Sequence, residues 1–480
     1  MNTFPEWALK HKRKGTELRY LNGKYYLYEV TSKWNQEKKR SQKITIKLLG
    51  RITETDGFIE SDKIRLERQS IVKQVVVKEN GFMSFYKENL QEYENLLKKH
   101  FPDEWQTILA VAYNRLIFQS PLKNMDFHFQ NSYMSQKYKR NTLSVNSLSA
   151  FLSNLGLKRE RIVDFCREFN KLSKCILFDG SDICSQSEHM SFPKEGRCKR
   201  GSYESVINMM FIFSVDQQLP IYYRILPGNI KDVKSFNLSL EESGVRDAMV
   251  IMDKGFYSAK NLKTIEESGL QFVIPLKRNN GEIDYAPIEQ GNKKVFDGYF
   301  KFENRYIWYY KSAISEKIVW IFLDEELKNR ESKDYLTRIE EELEDYTMEQ
   351  YLEREHRFGT IALLTNTLKT AEDVYVAYKS RGEIEQMIDV HKNVLEADVS
   401  HMQNEHALEG WMFCNFIALH WYYVIYRKLV VAKLLNKYSP QDFVKFLVEI
   451  KKVRINDKWY NAEITKKTQD ILTKMGLPIT

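Results

Sequence analysis

The sequence predicts an α/β fold: a mixed sheet with flanking helices, interrupted by a β-rich insertion and preceded by a β-hairpin module and a helical region. Three observations predict it. From residue 173 on, apolar runs of strand length alternate with helical segments. A basic, aromatic-rich stretch with strand alternation opens the chain, and residues 84–170 between them follow the helical period. At 480 residues the chain exceeds one ordinary core, which implies roughly two to four domains.

The elements are taken in chain order. In "LRYLNGKYYLYEVTSKW" the pair Asn22-Gly23 separates two aromatic-rich runs, the signal of a type I′ hairpin. "SQKITIKLLGRI" alternates as a third strand. Lys33, Lys38, Lys39, Arg40, Lys43, Lys47 and Arg51 crowd this module against Glu37 alone. Such a face is either a protected sheet edge or a set of phosphate contacts. In "DEWQTILAVAYNRLIF" Trp105, Ile108, Leu109, Ala112 and Leu116 keep helical spacing. "NSLSAFLSNLG" reads as a short helix closed by Gly156, with another helix starting at "KRERIVDFCREFNKL". The linker over 130–144 is polar and basic.

"SKCILFDGSD" is an apolar strand running into an aspartate, and two further strands meet around Asp216 to Leu219. A helix, the strand "AMVIM" ending at Asp253, a helix from Ala259 to Ser268 and the strand "LQFVIPL" complete a β-β-β-α-β-α-β order. Residues 281–324 read as more strands, and a long charged amphipathic helical region comes next with Leu336, Ile339, Leu343 and Tyr346 at helical spacing. "GTIALLTN" returns to strand, and "YKSRGEIEQMIDVHK" (378–392) reads as one helix. The predicted divisions are 1–75, 84–170, 171–280, 281–366, 367–430 and 431–480: a basic β-rich module, a helical region whose two short helices around Gly156 resemble a DNA-binding helix-turn-helix, the first part of a core, the insertion, the last part of the core and a helical end.

Composition narrows the class. Hydrophobic residues at 43% and charged residues at 29% exclude wholesale disorder. A formal charge of +8 over this length permits a nucleic-acid partner without demanding one. Five cysteines with no C-x-x-C pair argue against a disulfide framework and a structural zinc site, and fit a reducing cytoplasm. The N-terminus lacks the apolar stretch of a signal peptide. The most apolar run, residues 411–426, contains Asn415 and His420 and reads as a buried helix rather than a membrane span.

The chemistry-bearing residues are acids. Asp179 and Asp253 each end an apolar run, where an uncompensated carboxylate beside a low-dielectric core is costly. A cation should meet them, and carboxylates are the ligands Mg²⁺ prefers. Asp182 and Glu188 compete with Asp179. The bland alternative is a turn former or helix cap, which Lys254-Gly255 after Asp253 would suit. For a third carboxylate the late helix offers Glu383, Glu385, Asp389 and Glu396. With Tyr378 as zero and about 100° per residue, Arg381 falls near −60°, Glu385 near −20° and Lys392 near −40°, an arc of roughly 60°. Glu383 lies off this arc, while Asp389, near about 20°, stays on it. Geometry leaves Glu385 and Asp389 both open. It also leaves open a plain surface pair of Arg381 with Glu385.

At this point the residues resemble a known family. Tyr378, Arg381, Glu385 and Lys392 fit the spacing Y-x2-R-x3-E-x6-K, the signature of DDE transposases of the insertion-sequence-four-like superfamily. "ILFDGSDICSQSE", "LPIYYRILPGNIKD" and "DKGFYS" are similar to that family's first-aspartate block, the stretch between, and its second-aspartate block. "YEVTSKWNQEKKRSQKITIKLLGRI" resembles the start of its long bacterial subgroup. Where many relatives have threonine or serine just after the first aspartate, this chain has Gly180-Ser181-Asp182.

The resemblance implies a ribonuclease H-like fold and a triad of Asp179, Asp253 and Glu385 holding two Mg²⁺ ions, with Mn²⁺ as substitute. It implies cleavage of double-stranded DNA at terminal inverted repeats and joining of the freed 3′-OH to target DNA. Arg381, Lys392, Tyr378 and Lys254 would contact the backbone, as would Lys38, Lys39, Arg40 and Lys43 of the first module. Trp308 and Trp320 are candidates for stacking a flipped base, with core packing the alternative. A homodimer in a synaptic complex, in the bacterial cytoplasm and on the nucleoid, is the expected setting. The competing functions are a DNA-binding protein that has lost catalysis and a ribonuclease H-like nuclease without strand transfer.

Overall fold

The structure, a computed structural model, describes residues 4–36, 39–69, 74–138, 143–197, 203–229, 232–315 and 317–477. The chain divides into two compact units, Met1–Val77 with Lys452–Asn461, and Lys78–Lys451 with Ala462–Thr480.

The first unit is built on an antiparallel sheet of Thr16–Leu21, Lys24–Asn35, Arg40–Thr53 and Gly57–Glu60, paired in that order. Asn22 (φ 50°) and Gly23 (φ 77°) take the two left-handed positions of the first turn, as a type I′ turn requires. The core here is small: Ala8, Leu18, Leu27 and Ile52 are buried, with Trp7, Tyr25 and Phe58 packed on them. Beyond Val30 the two long strands leave this core. From Thr31 to Trp34 and from Ser41 to Ile46 every described side chain is exposed.

The second unit centres on an eleven-stranded mixed sheet. Its spine is Cys175–Ser185, antiparallel to Tyr203–Ser214, which pairs antiparallel with Leu219–Pro227. On the other side the spine runs parallel to Met249–Met252, and that strand parallel to Gln271–Pro275. These strands read as unbroken apolar runs because both faces are covered. Beyond Gln271–Pro275 the sheet continues without a break through Thr360–Thr365, Ile318–Asp324, Arg305–Lys311 and Gly298–Phe302, each antiparallel to the last. The strands of the predicted insertion therefore extend the central sheet. The long charged helix region breaks in two, Glu325–Glu340 and Met348–Arg354, with Glu342 left-handed (φ 56°) between them.

Helix Glu405–Val431 is buried along most of its length, with Asn415 and His420 inside the core. Its closest neighbour is helix Val145–Gly156. A Cβ at Gly156 would run into the His406 carbonyl, and one at Gly410 into the Leu152 carbonyl. Gly156 ends this helix, as the sequence predicts. It is absent from the positive-φ residues, and Leu157 after it is right-handed. Its lack of a side chain serves backbone approach between two helices. No helix of the described residues is long and apolar enough to cross a membrane. Cys166, Cys175, Cys184 and Cys414 are free thiols.

Candidate active site

Parallel pairing sets the two aspartates side by side. Met252 is in register with Phe178, so Asp253 and Asp179 are the next residues on adjacent strands. The sequence placed both at strand ends, and the structure corrects this for Asp179. Its strand runs on to Ser185, still paired with Tyr203–Ser214. The parallel neighbour stops at Met252, which frees one edge of the spine at Asp179. Asp253 precedes the short turn Lys254–Phe256, yet its side chain caps nothing there, so the plain capping role fails.

The expected single helix over 378–392 is three pieces. Ala371–Lys379 ends at Ser380, whose hydroxyl donates to the Ala377 carbonyl at 2.6 Å. A serine hydroxyl bonding back in this way competes with the helix ladder, and Gly382 just beyond is a weak helix former. Helix Gly382–Asp389 restarts after Arg381, and Val390–Val394 is a π turn closed by the Leu395 N–H on the Val390 carbonyl at 2.9 Å. The extra residue of a π turn rotates the later side chains about the helix axis.

These breaks sort the acids. Arg381 Nη2 lies 2.9 Å from Glu385, 3.7 Å from Asp179 and 3.8 Å from Asp253. Three carboxylates from two strands and a helix thus converge on one guanidinium nitrogen. Burial pushes the Asp179 carboxyl above its usual range. The Gly180 N–H and then Arg381 pull it back, while Asp253 and Glu385 add to the rise. Asp389 is exposed and accepts from Asn393 at 2.6 Å. Asp182 meets Lys392 at 3.8 Å instead of the cluster, being an odd number of residues along the strand from Asp179. Glu383 is raised by burial and stands apart from the triad. The structure thus joins Arg381 to the triad and moves Lys392 to Asp182.

Of the other predicted residues, Tyr378 is partly buried against the core beside Arg381, and burial raises its hydroxyl. Lys254 is exposed one residue beyond Asp253. In the first unit Lys39 (φ 42°) and Arg40 are exposed near the hairpin tip, and Lys43 pairs with Glu17 at 3.1 Å; Lys38 lies outside the described residues. Trp308 and Trp320 stand on opposite faces of the sheet, since Trp308 opposes Leu323 and Trp320 opposes Lys311. Trp308 carries Lys293 over its ring at 4.7 Å, and Trp320 packs edge-on against Tyr309.

Sequence reasoning missed Arg115. It is buried, donates to Asn415 at 2.8 Å and Ser120 at 3.0 Å, and reaches the carbonyls of Leu395 and Glu396, just past the π turn. The available signal was one arginine inside the apolar "ILAVAYNRLIF", matched by one asparagine inside "WMFCNFIALH".

Among the described residues, no three His, Cys, Asp or Glu side chains already stand in metal-holding geometry. The donor chemistry nonetheless fits a hard divalent ion: the triad offers oxygen only. Arg381 brings the positive charge to these three carboxylates, and its buried Nε has no hydrogen-bond partner among the described residues.

Two acids on neighbouring strands, Asp179 within one and Asp253 just past the end of the other, and a third on a helix, Glu385, thus converge on one arginine. A family model described as a transposase DDE domain matches residues 171–421, more than half of the chain, and the chain belongs to that family. No curated protein matches it. Among solved structures it is similar to a piggyBac transposase synaptic complex with hairpin DNA, at 12% identity and a TM-score of 0.39, covering 72% of this chain and 69% of that one. It is also similar to a Mos1 transposase paired-end complex with left transposon end, at 10% identity and a TM-score of 0.15, covering 32% and 53%. Neither likeness bears on the fold or function of this chain.

Proposed function

We propose that this chain is a DNA transposase that cuts double-stranded DNA at the inverted ends of its element and joins the freed 3′-OH to target DNA. The observation that carries the reading is the meeting of Asp179, Asp253 and Glu385 on one cation, inside the region that defines the family. The strand order also supports a ribonuclease H-like core: three antiparallel strands, then two parallel to the first. The spacing of Tyr378, Arg381, Glu385 and Lys392 supports the insertion-sequence-four-like subgroup.

Asp179, Asp253 and Glu385 would hold Mg²⁺ or Mn²⁺, two ions in the full complex. When bound, the metal activates the attacking oxygen and steadies the leaving one. Asp179 and Asp253 are fixed by strand pairing, whereas Glu385 rides on a helix and is half exposed. Arg381 leaves the triad for a backbone phosphate, and Lys392 and Lys254 bind further phosphates nearby. Tyr378 shields Arg381 from the core side. Lys38, Lys39, Arg40 and Lys43 supply contacts from the first unit, and two copies assemble on paired ends in the bacterial cytoplasm.

The test uses purified protein, the DNA flanking its gene, a target plasmid and Mg²⁺. Ends joined to the plasmid are expected. Nicks without joining would make the chain a nuclease, and binding without cleavage under any divalent metal would make it a silent DNA-binding protein.

Arg381 gives a second test. A unit charge at about 4 Å in an effective dielectric of about 20 opposes an incoming divalent cation by roughly 8 kcal/mol, less where solvent screens it. Arg381→Met should therefore bind Mn²⁺ in the absence of DNA at least about tenfold more tightly than wild type, read by calorimetry or spin resonance, while cutting DNA more slowly. Unchanged Mn²⁺ affinity would show that Arg381 does not occupy the cation's place.

A further inference from the structure

The two long strands of the first unit leave their core at Val30 and continue as a bare ribbon. An isolated two-stranded hairpin is only marginally stable, and one side of such a ribbon is normally packed. Here both sides face solvent from Thr31 to Trp34 and from Ser41 to Ile46. Trp34 is 63% exposed and Ile44 41%. The register then sorts the side chains. Asn35 opposes Arg40, Lys33 opposes Gln42, and Thr31 opposes Ile44. Alternation puts these three pairs on one face and Ser32, Trp34, Ser41 and Lys43 on the other. Asn35 Nδ2 donates to Gln42 Oε1 at 3.0 Å, which fixes the two amides across the ribbon.

That face holds the residue types that read base edges. Arginine and lysine match guanine O6 and N7, asparagine and glutamine match adenine N6 and N7, and threonine and aliphatic side chains meet the thymine methyl. The three pairs span roughly 13 Å along the strands. The major groove of B-form DNA, about 12 Å wide, admits a two-stranded ribbon, whereas the deep, narrow major groove of duplex RNA does not. Among the described ribbon residues Lys33, Lys39 and Arg40 are exposed with no acid beside them on the ribbon, and Lys43, on the other face, is paired with Glu17 of the first strand at 3.1 Å; this excess of cations suits a phosphate-lined groove. We propose that this ribbon enters the major groove of duplex DNA and reads its sequence through Lys33, Asn35, Arg40 and Gln42, with Lys39 and Lys43 on the flanking phosphates. The proposal rests on the reading of the chain as a DNA transposase. It assigns end recognition to the first unit and leaves cleavage to the second.

The full chain is mixed in chelator with a pool of duplexes whose central base pairs are randomised, and the bound fraction is sequenced. Wild type should enrich one motif. Lys33→Ala/Asn35→Ala/Arg40→Ala/Gln42→Ala should lose it, at about 5- to 150-fold per base contact, yet still bind the pool in a salt-dependent way. Trp34→Ala, on the opposite face, should keep the motif. Gln42→Glu should move one preferred position from adenine to cytosine, which a merely unfolded ribbon would not do. The enriched duplex made with 7-deazapurines, which lack the major-groove N7, should bind wild type at least about fivefold more weakly. A quadruple variant that keeps the motif, undiminished binding to the 7-deaza duplex, or no motif from wild type would each overturn the proposal while leaving the joining assay untouched. Failure of wild type to bind any DNA would overturn the transposase reading with it.

Discussion

Asp179→Asn, Asp253→Asn and Glu385→Gln should each lower metal-dependent DNA cleavage by about a thousand-fold or more, since losing a metal's charge stabilisation forfeits several kcal/mol of barrier. Asp389→Asn, an exposed change away from Arg381, should stay within about fivefold of wild type, and Asp182→Asn, which removes only a partner of Lys392, should lower cleavage far less than the three triad changes. The contrast comes from their partners. The first three acids converge on Arg381, Asp182 faces Lys392, and Asp389 is bonded to Asn393. The substitutions are near-isosteric, so shape is kept and charge is lost. A stability readout separates chemistry from folding. Burial raises the Asp179 carboxyl, so above that raised value its ionised form costs the folded state free energy. Asparagine carries no such charge, and Asp179→Asn should melt no lower than wild type at neutral pH. An active Glu385→Gln protein, or an inactive Asp389→Asn one, would reassign the third acid. Loss of activity with an equal loss of melting temperature would reduce the triad to a structural cluster.

Strand and helix periods marked the acids only as candidates: they left Asp182 and Glu188 beside Asp179 and Asp389 beside Glu385, and the Y-x2-R-x3-E-x6-K resemblance then picked Glu385. The apolar runs before Asp179 and Asp253 carried their own strand signal, and Asn22-Gly23 carried its own turn. The helix after residue 370 was legible as helix but not as three pieces. Arg381 to Glu385 is one helical step and kept its predicted contact, whereas Lys392 lies beyond the start of the π turn and left the arc. A π turn leaves no periodic trace, because it forms where tertiary bonds hold the chain rather than where the sequence prefers it. The same holds for Asp179. Whether a strand stops or continues past an aspartate depends on its neighbours, and Tyr203–Ser214 keeps the spine paired through Cys184. The insertion joins the core sheet through Thr360–Thr365, which pairs with Gln271–Pro275 and with Ile318–Asp324, both far from it in sequence, and one strand's alternation cannot report such a partner.

The tertiary bonds that hold the π turn lead to the second large effect, which is on stability. Arg115→Met should destabilise the fold by roughly 3–5 kcal/mol, the range for breaking a buried, hydrogen-bonded charge network. Burial lowers the Arg115 guanidinium to about 10, so it is still charged at neutral pH. Its donors satisfy Asn415, Ser120, Leu395 and Glu396, and its plane lies 4.7 Å from the centre of the Trp411 ring. Methionine fills much of the volume and satisfies none of these acceptors, each of which then bears a desolvation cost of about 1–3 kcal/mol unless water enters. The melting temperature should fall by roughly 5–15 °C. The loss should also be local. Beside it His391 is buried against Phe211 and pushed down to about 3, so it stays neutral and offers no replacement charge. Amide exchange should therefore accelerate first over residues 390–397, carrying Lys392 out of place and slowing DNA cleavage more than the stability loss alone accounts for. Asn415→Ala should cost less alone than Arg115→Met, and the double variant should cost less than the sum, because the two side chains share one bond. Additive losses, or exchange that rises evenly along the chain, would detach Arg115 from the catalytic helix and leave it an ordinary core residue.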